Sequence, residues 1–193
     1  MDRERTLVLL KPDAVARGIT GKIITRFEDA GLKLSAMKMI WADETLAKKH
    51  YPLDEEWIKK TYSKSKDSYE KEGKKYPYKD YMEFGKTLQK WLVDFLTEGP
   101  VVGMVLEGYH AIELARKIIG STEPRQALPG TIRGDFASTE SYAITDKQER
   151  VLRNLVHASD SITNAEREIS LWFPPHDLHS YQTAQDLLTK KKN

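Results

Sequence analysis

A chain of 193 residues with 39% hydrophobic and 31% charged side chains is long enough to bury one full core and too short for two large domains. Its net charge of +2 argues against binding polyanions through bulk charge, and its lack of cysteine excludes disulfides, thiolate nucleophiles and cysteine metal sites. A mean hydropathy of −0.60 and the absence of any membrane-length apolar run predict a soluble, cytoplasmic protein with no membrane role and no marked affinity for nucleic acid.

Residues 6–10, Thr-Leu-Val-Leu-Leu, read as a buried strand that ends at Lys11 and is stopped by Pro12. A lysine there places its ammonium at the mouth of a sheet, though most strand-end lysines are merely solvated. Ile23, Ile24, Phe27 and Ala30 recur at helical spacing, with Gly31 where a C-cap belongs. Residues 32–41 alternate as a second strand, and Asp43 is the N-cap candidate of a short helix reaching Tyr51. Residues 52–87 are rich in Lys, Glu and Tyr and poor in aliphatics, which suits a solvated surface excursion. Leu88, Trp91, Leu92, Phe95 and Leu96 restore a helical stripe, Glu98-Gly-Pro ends it, and residues 101–106 form a third buried strand. A helix over 109–119 follows, stopped by Gly120, with Ile112, Ala115 and Ile119 inward and Arg116 off the stripe. Residues 124–135 read as an ordered loop presenting Thr131 and Arg133, and 137–149 as a second polar excursion.

The stretch 153–161, Arg-Asn-Leu-Val-His-Ala-Ser-Asp-Ser, sets His157 beside a hydroxyl (Ser159) and an amide (Asn154), with Leu155 and Val156 as a short buried strand. A helix begins behind it, with Thr163 as N-cap and Glu166 at capping-box spacing. Its face of Ala165, Ile169, Trp172 and Phe173 is apolar, and Glu168 is placed to reach the imidazole or Ser159. A histidine nucleophile needs an unprotonated nitrogen and a fixed ring, which a carboxylate and a hydroxyl together supply. Taken alone, such a histidine is more often a satisfied core residue. The tail, 174–193, ends in Lys190-Lys-Lys, usually only solubilising.

The element order predicts an α+β fold: a ferredoxin-like four-stranded antiparallel sheet (βαββαβ) with helices on one face. No glycine-rich phosphate loop is present, so any phosphate grip must come from side chains, with Lys11, Arg116 and Arg133 the cations best placed.

Five blocks, Glu4-Arg-Thr-Leu-Val-Leu-Leu-Lys-Pro-Asp-Ala-Val, Gly99-Pro-Val-Val, Pro129-Gly-Thr-Ile-Arg-Gly-Asp-Phe, Asn154-Leu-Val-His-Ala-Ser-Asp-Ser and Ala165-Glu-Arg-Glu-Ile, together resemble the nucleoside diphosphate kinase family. The resemblance implies one domain over 1–193, with insertions at about 52–87 and 137–149 and an extension over about 174–193. It implies ping-pong transfer of the γ-phosphate of a nucleoside triphosphate to a nucleoside diphosphate through a phosphohistidine at His157. Lys11, Arg116 and Arg133 would supply positive charge, Thr122 a hydroxyl, and Asn154 the ribose and phosphate contact. Ser159 and Glu168 would position the imidazole, with Tyr51 packed nearby. Mg2+ would ride on the nucleotide phosphates with no protein metal site, and the protein would be a homo-oligomer, a tetramer or hexamer built from dimers.

Between Tyr51 and Gly99 the chain exceeds compact members of that family by roughly thirty residues, judged from the flanking blocks. Counting back from Gly99 puts Leu88 where the family stacks the base and Leu92 at the next apolar position, with Val151 as the opposite wall. Leucine lacks an aromatic face, so either Leu88 substitutes or a tyrosine of the excursion stacks instead. Ala158 stands where glycine is commoner. The competing reading is a catalytically silent nucleotide-binding or regulatory module on the same fold.

Overall fold

The computed structural model describes residues 3–71, 73 and 75–189; the basic end at Lys190 lies outside them. In chain order the elements are β1 (Glu4–Leu10), α1 (Pro12–Ala16), α2 (Thr20–Asp29), β2 (Lys33–Ile40), α3 (Glu44–His50), α4 (Glu55–Lys71) and α5 (Tyr81–Thr97). They continue with β3 (Val101–Gly108), α6 (Ala111–Ile119), α7 (Ile132–Phe136), α8 (Tyr142–Lys147), β4 (Val156–Ala158), α9 (Ile162–Trp172) and α10 (Ala184–Thr189). The sheet runs β2-β3-β1-β4 with every neighbouring pair antiparallel, the α+β arrangement that the strand order predicts. Pairing of Leu9 with His157 puts the histidine strand directly beside β1.

Helices cover both faces of the sheet, not one. Val8 and Leu10 point into a core with Phe27 of α2, Ala115 and Ile119 of α6 and Ile132 of α7. Leu7 and Leu9 point the other way, into Ala47 of α3, Val93 and Leu96 of α5 and Trp172 of α9. All four residues are fully buried. An unbroken apolar run is what two-sided burial requires, because alternate side chains face opposite sides of a strand.

The excursion after Tyr51 is more ordered than its composition suggests. α4 lies against α5, and Tyr62, Tyr69, Tyr76, Tyr78 and Phe84 form a chain of edge-to-face pairs with centroids 5.1–5.8 Å apart. Such pairs add stability beyond the area they bury. A Cβ at Gly85 would lie 2.8 Å from Ile58, so a bare backbone there permits the close approach of α4. Truncating Phe84 to alanine is expected to cost about 3 kcal/mol, read as a lowered urea midpoint; an unchanged midpoint would show that the cluster does not hold this hairpin.

The tail packs along β2. His179 N–H donates to Ser35 O at 2.8 Å and Tyr181 Oη to Leu34 O at 2.8 Å, at the point where the pairing register with β3 shifts. Beyond that point Met37, Met39 and Trp41 remain exposed. The loop expected over 124–135 contains a single 3-10 turn (Pro124–Gln126) and the start of α7. Thr131 caps α7 by accepting from Gly134 N–H. Gly120 (φ 87°) closes α6 as expected, but that helix starts at Ala111, two residues later than its periodicity suggests.

Candidate active site

The histidine strand is shorter than the sequence implies, because Leu155 is not extended. Its φ is 67°, and Val156 N–H donates across it to Asn154 O at 2.7 Å, closing a three-residue turn in the left-handed region. β4 therefore starts at Val156. Arg133 spans the turn from α7. Its guanidinium donates to the carbonyls of Asn154 (3.0 Å), Gly120 (3.1 Å), Ser121 (3.2 Å) and Val156 (2.6 Å).

His157 follows, half-buried, with Nε2 2.9 Å from Glu168 Oε2. The same oxygen accepts from Ser159 Oγ at 2.7 Å, and Arg167 donates to Oε1 at 3.3 Å. Facing only donors, Glu168 is an acceptor, so His157 carries its hydrogen on Nε2 and keeps the Nδ1 lone pair. Glu168 reaches the ring because α9 folds back beside β4. Its N-cap is Ser161, whose hydroxyl accepts from Asn164 N–H at 3.2 Å, not Thr163. Ser161 is the extended residue that opens the helix, which leaves Thr163 inside the first turn and Glu166 without a capping role.

At the end of β1, Lys11 is buried and its ammonium donates to Asn154 Oδ1 at 2.8 Å. Asn154 in turn donates through Nδ2 to Thr122 O at 2.9 Å. Burial, with the nearby Arg133 charge, pushes Lys11 down to about 8, while Asp13 opposes the shift. Burial and Arg116 bring Arg133 down to about 10. The structure thus joins Lys11, Asn154, Arg133 and the Thr122 backbone in one network. Arg116 sits apart on the exposed side of α6, lining a shallow pocket with Glu113, Asp160 and Ser161, and acts on Arg133 only through its charge. The Thr122 side chain is exposed.

Tyr51 places its ring 6.3 Å from that of His157. Burial and the Glu168 charge raise its phenol well above the ordinary value, so it remains a donor. Between them lies His50, a residue the sequence did not single out, its ring 4.5 Å from both. His50, His157 and Glu168 bring one ligand atom each within 4.8 Å of one another. Trp172 Nε1–H, however, donates to His50 Nδ1 at 3.2 Å. That bond places the His50 hydrogen on Nε2, and neither nitrogen retains a lone pair for a metal. Burial first, then the His157 charge, keeps His50 far below its usual value and neutral.

Leu88 and Leu92 lie one turn apart on the half-buried side of α5, and Val151 is half-buried on the loop before β4. Arg153 ties that loop to the end of α5, donating to Glu98 at 2.9 Å with its guanidinium 5.0 Å from the Phe95 ring centre. Of the excursion's tyrosines, Tyr62, Tyr69, Tyr76 and Tyr78 pair with one another or with Phe84, and Tyr81 donates to Glu55 at 2.9 Å. Asp13, also missed, accepts from Leu155 N–H at 3.0 Å. In sequence it stands only as the residue after Pro12, which stops the strand.

The chain matches the family model described as nucleoside diphosphate kinase over residues 4–74 and 68–178. Relatives of that description include one from Pyrobaculum aerophilum, 47% identical over 90% of this chain and 96% of its own length. Another, from Pyrococcus horikoshii, is 46% identical over 98% of both chains. The crystal structure of the P. aerophilum NDP kinase superposes with a TM-score of 0.88 at 43% identity, covering 93% of this chain and all of its own. A transition-state mimic of the Borrelia burgdorferi nucleoside-diphosphate kinase, with bound vanadate and ADP, gives 0.78 at 34% identity over 96% of each chain. Sequence and fold likeness agree, and the chain belongs to the nucleoside diphosphate kinase family, whose members are phosphotransferases.

Proposed function

We propose that this chain carries out its family's γ-phosphate transfer through His157 Nδ1. The observation that carries this reading is the bond from Nε2 to Glu168, which fixes the ring and leaves the opposite nitrogen as an unprotonated nucleophile. The Nδ1 lone pair forms a bond to the γ-phosphorus while the bond to the β–γ bridging oxygen breaks, and the nucleoside diphosphate leaves with that electron pair. A second nucleoside diphosphate attacks the phosphohistidine through its terminal oxygen, and the lone pair returns to Nδ1. Ser159 and Glu168 hold the ring. Lys11 meets the phosphoryl oxygens, Arg133 and Arg116 add positive charge, and Asn154 and the Thr122 hydroxyl bind the ribose and phosphate end. Tyr51 donates from the side. Leu88, Leu92 and Val151 sandwich the base without reading its edges, a contact tolerant of every base.

Mg2+ supports the reaction by neutralising phosphate oxygens. Glu168 already faces three donors and Asp13 two backbone amides, so the nucleotide's own phosphates would hold the cation. The edge strand β2, with exposed Met37 and Met39 and with Trp41 just past its end, supports assembly into dimers and from them a tetramer or hexamer. No helix among the described residues is long and apolar enough to cross a membrane, and the nucleotide substrates favour the cytoplasm as the place of action. A silent binding module would have no need of the positioned imidazole.

Single-turnover incubation with γ-labelled ATP and Mg2+ tests the reading. An acid-labile, base-stable phosphoprotein discharged by GDP, CDP and dTDP alike is expected; ATP binding without label would leave only the silent module.

Lys11 adds a pH signature. Since its folded value lies below the 10.5 of a free lysine, the unfolded chain binds more protons between about pH 8 and 10.5, and fold stability rises with pH across that window. The site's charge runs the opposite way. Lys11 is an ammonium below about 8 and loses its charge above, so kcat/KM should fall on the alkaline side of that value. Saturating nucleotide should move the fall in kcat upward, because phosphate favours the charged form. Persistence of the same alkaline limb in Lys11→Gln would assign it to another group.

A further inference from the structure

We propose that Asp13 is a positioning residue for the phosphotransfer, its carboxylate holding Leu155 in the left-handed turn that aims His157. The inference rests on His157 as nucleophile and gives a role to Asp13, which the sequence shows only as one residue of the block that begins at Glu4.

Among the described residues only His110, Glu149 and Leu155 are non-glycine residues with positive φ, and Leu155 alone of these is buried. A bulky aliphatic residue adopts that region only where its surroundings over-determine it. Here both backbone polar groups of Leu155 are held by the segment that follows β1. Its N–H donates to Asp13 Oδ2 at 3.0 Å, and its C=O accepts from Lys11 N–H at 2.8 Å. The other Asp13 oxygen accepts from Ala14 N–H at 3.0 Å, which fixes the side chain from its own helix. One carboxylate therefore registers the strand end bearing Lys11 against the strand bearing His157.

If Leu155 relaxed to an extended conformation, the turn between Asn154 and Val156 would open and the side chains beyond it would re-aim. His157 would move off Glu168, and Asn154 off Lys11. Burial raises the Asp13 carboxyl above its usual range while Lys11 and the two amides oppose the shift. A carboxylate kept at such a site is costly unless its acceptor atoms are needed. Lys11 offers a second route for Asp13 to act, because the carboxylate also supports the lysine's charge, and the test separates the two.

The measurements are the single-turnover labelling rate, the nucleotide KM and a side-chain 1H–15N spectrum of the histidines. They are made on Asp13→Ala and Asp13→Asn, each in the wild-type and Leu155→Gly backgrounds. Asp13→Ala is expected to slow labelling about a hundred-fold with little change in KM, the scale of a displacement near 1 Å. Its spectrum should show His157 in two tautomers, where the wild type shows one with Nε2 protonated. Asp13→Asn keeps an acceptor for Leu155 N–H without the charge and should stay within about tenfold of wild type. In the Leu155→Gly background the loss from Asp13→Ala should shrink to under about fivefold, since glycine takes φ near +67° without strain.

Equal slowing by Asn and Ala with a single His157 tautomer would overturn the proposal in favour of the Lys11 charge, and so would the same loss in both backgrounds. Should Leu155→Gly not fold, the tautomer spectrum and the Asn/Ala comparison decide. Should Asp13→Ala not fold, Asp13→Asn in the wild-type background decides: labelling within about tenfold of wild type with a single His157 tautomer supports the turn, and a loss of about a hundred-fold overturns it. A wild-type protein that takes no label is a separate failure, that of the nucleophile assignment.

Discussion

His157→Ala is expected to lower nucleoside diphosphate kinase turnover by on the order of 10^4-fold or more and to leave no acid-labile phosphoprotein. Removing the imidazole removes the nucleophile itself, and nothing around it can substitute. Ser159 Oγ is buried and spends its hydrogen on Glu168, and His50 has its Nδ1 lone pair taken by Trp172. Since the ring is half-exposed, the variant should keep the fold, verified by unchanged circular dichroism and melting. Glu168→Gln provides the contrast. The amide can keep its one oxygen toward Ser159 and the ring, but its NH2 then faces the Arg167 donor and the negative charge beside the imidazole is gone, so turnover should drop by about a hundred-fold while some label survives. If His157→Ala still accepted label, the site would lie elsewhere.

The second large effect belongs to Arg133. The sequence presents it as a phosphate-binding cation, but in this structure its donors serve four backbone carbonyls from Gly120 to Val156. Arg133→Ala would strand buried acceptors on both sides of the turn, and the expected destabilisation is about 3 kcal/mol or more. Arg133→Lys should recover little of it, because an ammonium cannot fork to carbonyls on separate segments. Urea unfolding measures the stability, and turnover well below the melting point measures the site. A variant that lost activity yet unfolded at the wild-type midpoint would show that the guanidinium serves only the phosphates.

Most of this architecture can be read from the chain, for reasons that vary by element. β1 and β3 announce themselves as continuous apolar runs, and the same continuity already implied burial on both faces, which the one-sided expectation overlooked. α3 follows from its Asp43 cap, confirmed by the 2.7 Å bond from Leu46 N–H. The excursion misled because Tyr and Lys composition does not distinguish a solvated helix from one that packs its rings edge to edge. At the site, Lys11, Asn154, His157, Ser159 and Glu168 come together as their motif suggests. The Arg116 and Thr122 side chains stay at its margin, exposed, and only the Thr122 carbonyl joins the network. Leu155 was beyond reach of pattern reading altogether: a leucine before valine spells strand, and only tertiary bonds from β1 and α1 turn it the other way. His50 and Asp13 escaped for a related reason, since their roles depend on Trp172 and Leu155, partners remote in sequence.

The pairing of β1 also bears on how the chain acquires its activity. β1 finds its sheet partners only at residues 102–108 and 156–158, so very long loops must close before the sheet exists. Folding by such remote contacts is slow, and on the ribosome β1 waits, apolar on both faces, until β3 has emerged. Lys11 and His157 cannot meet until β4 docks on β1. Competence for phosphotransfer should therefore arrive late and in one step, after the helices have formed.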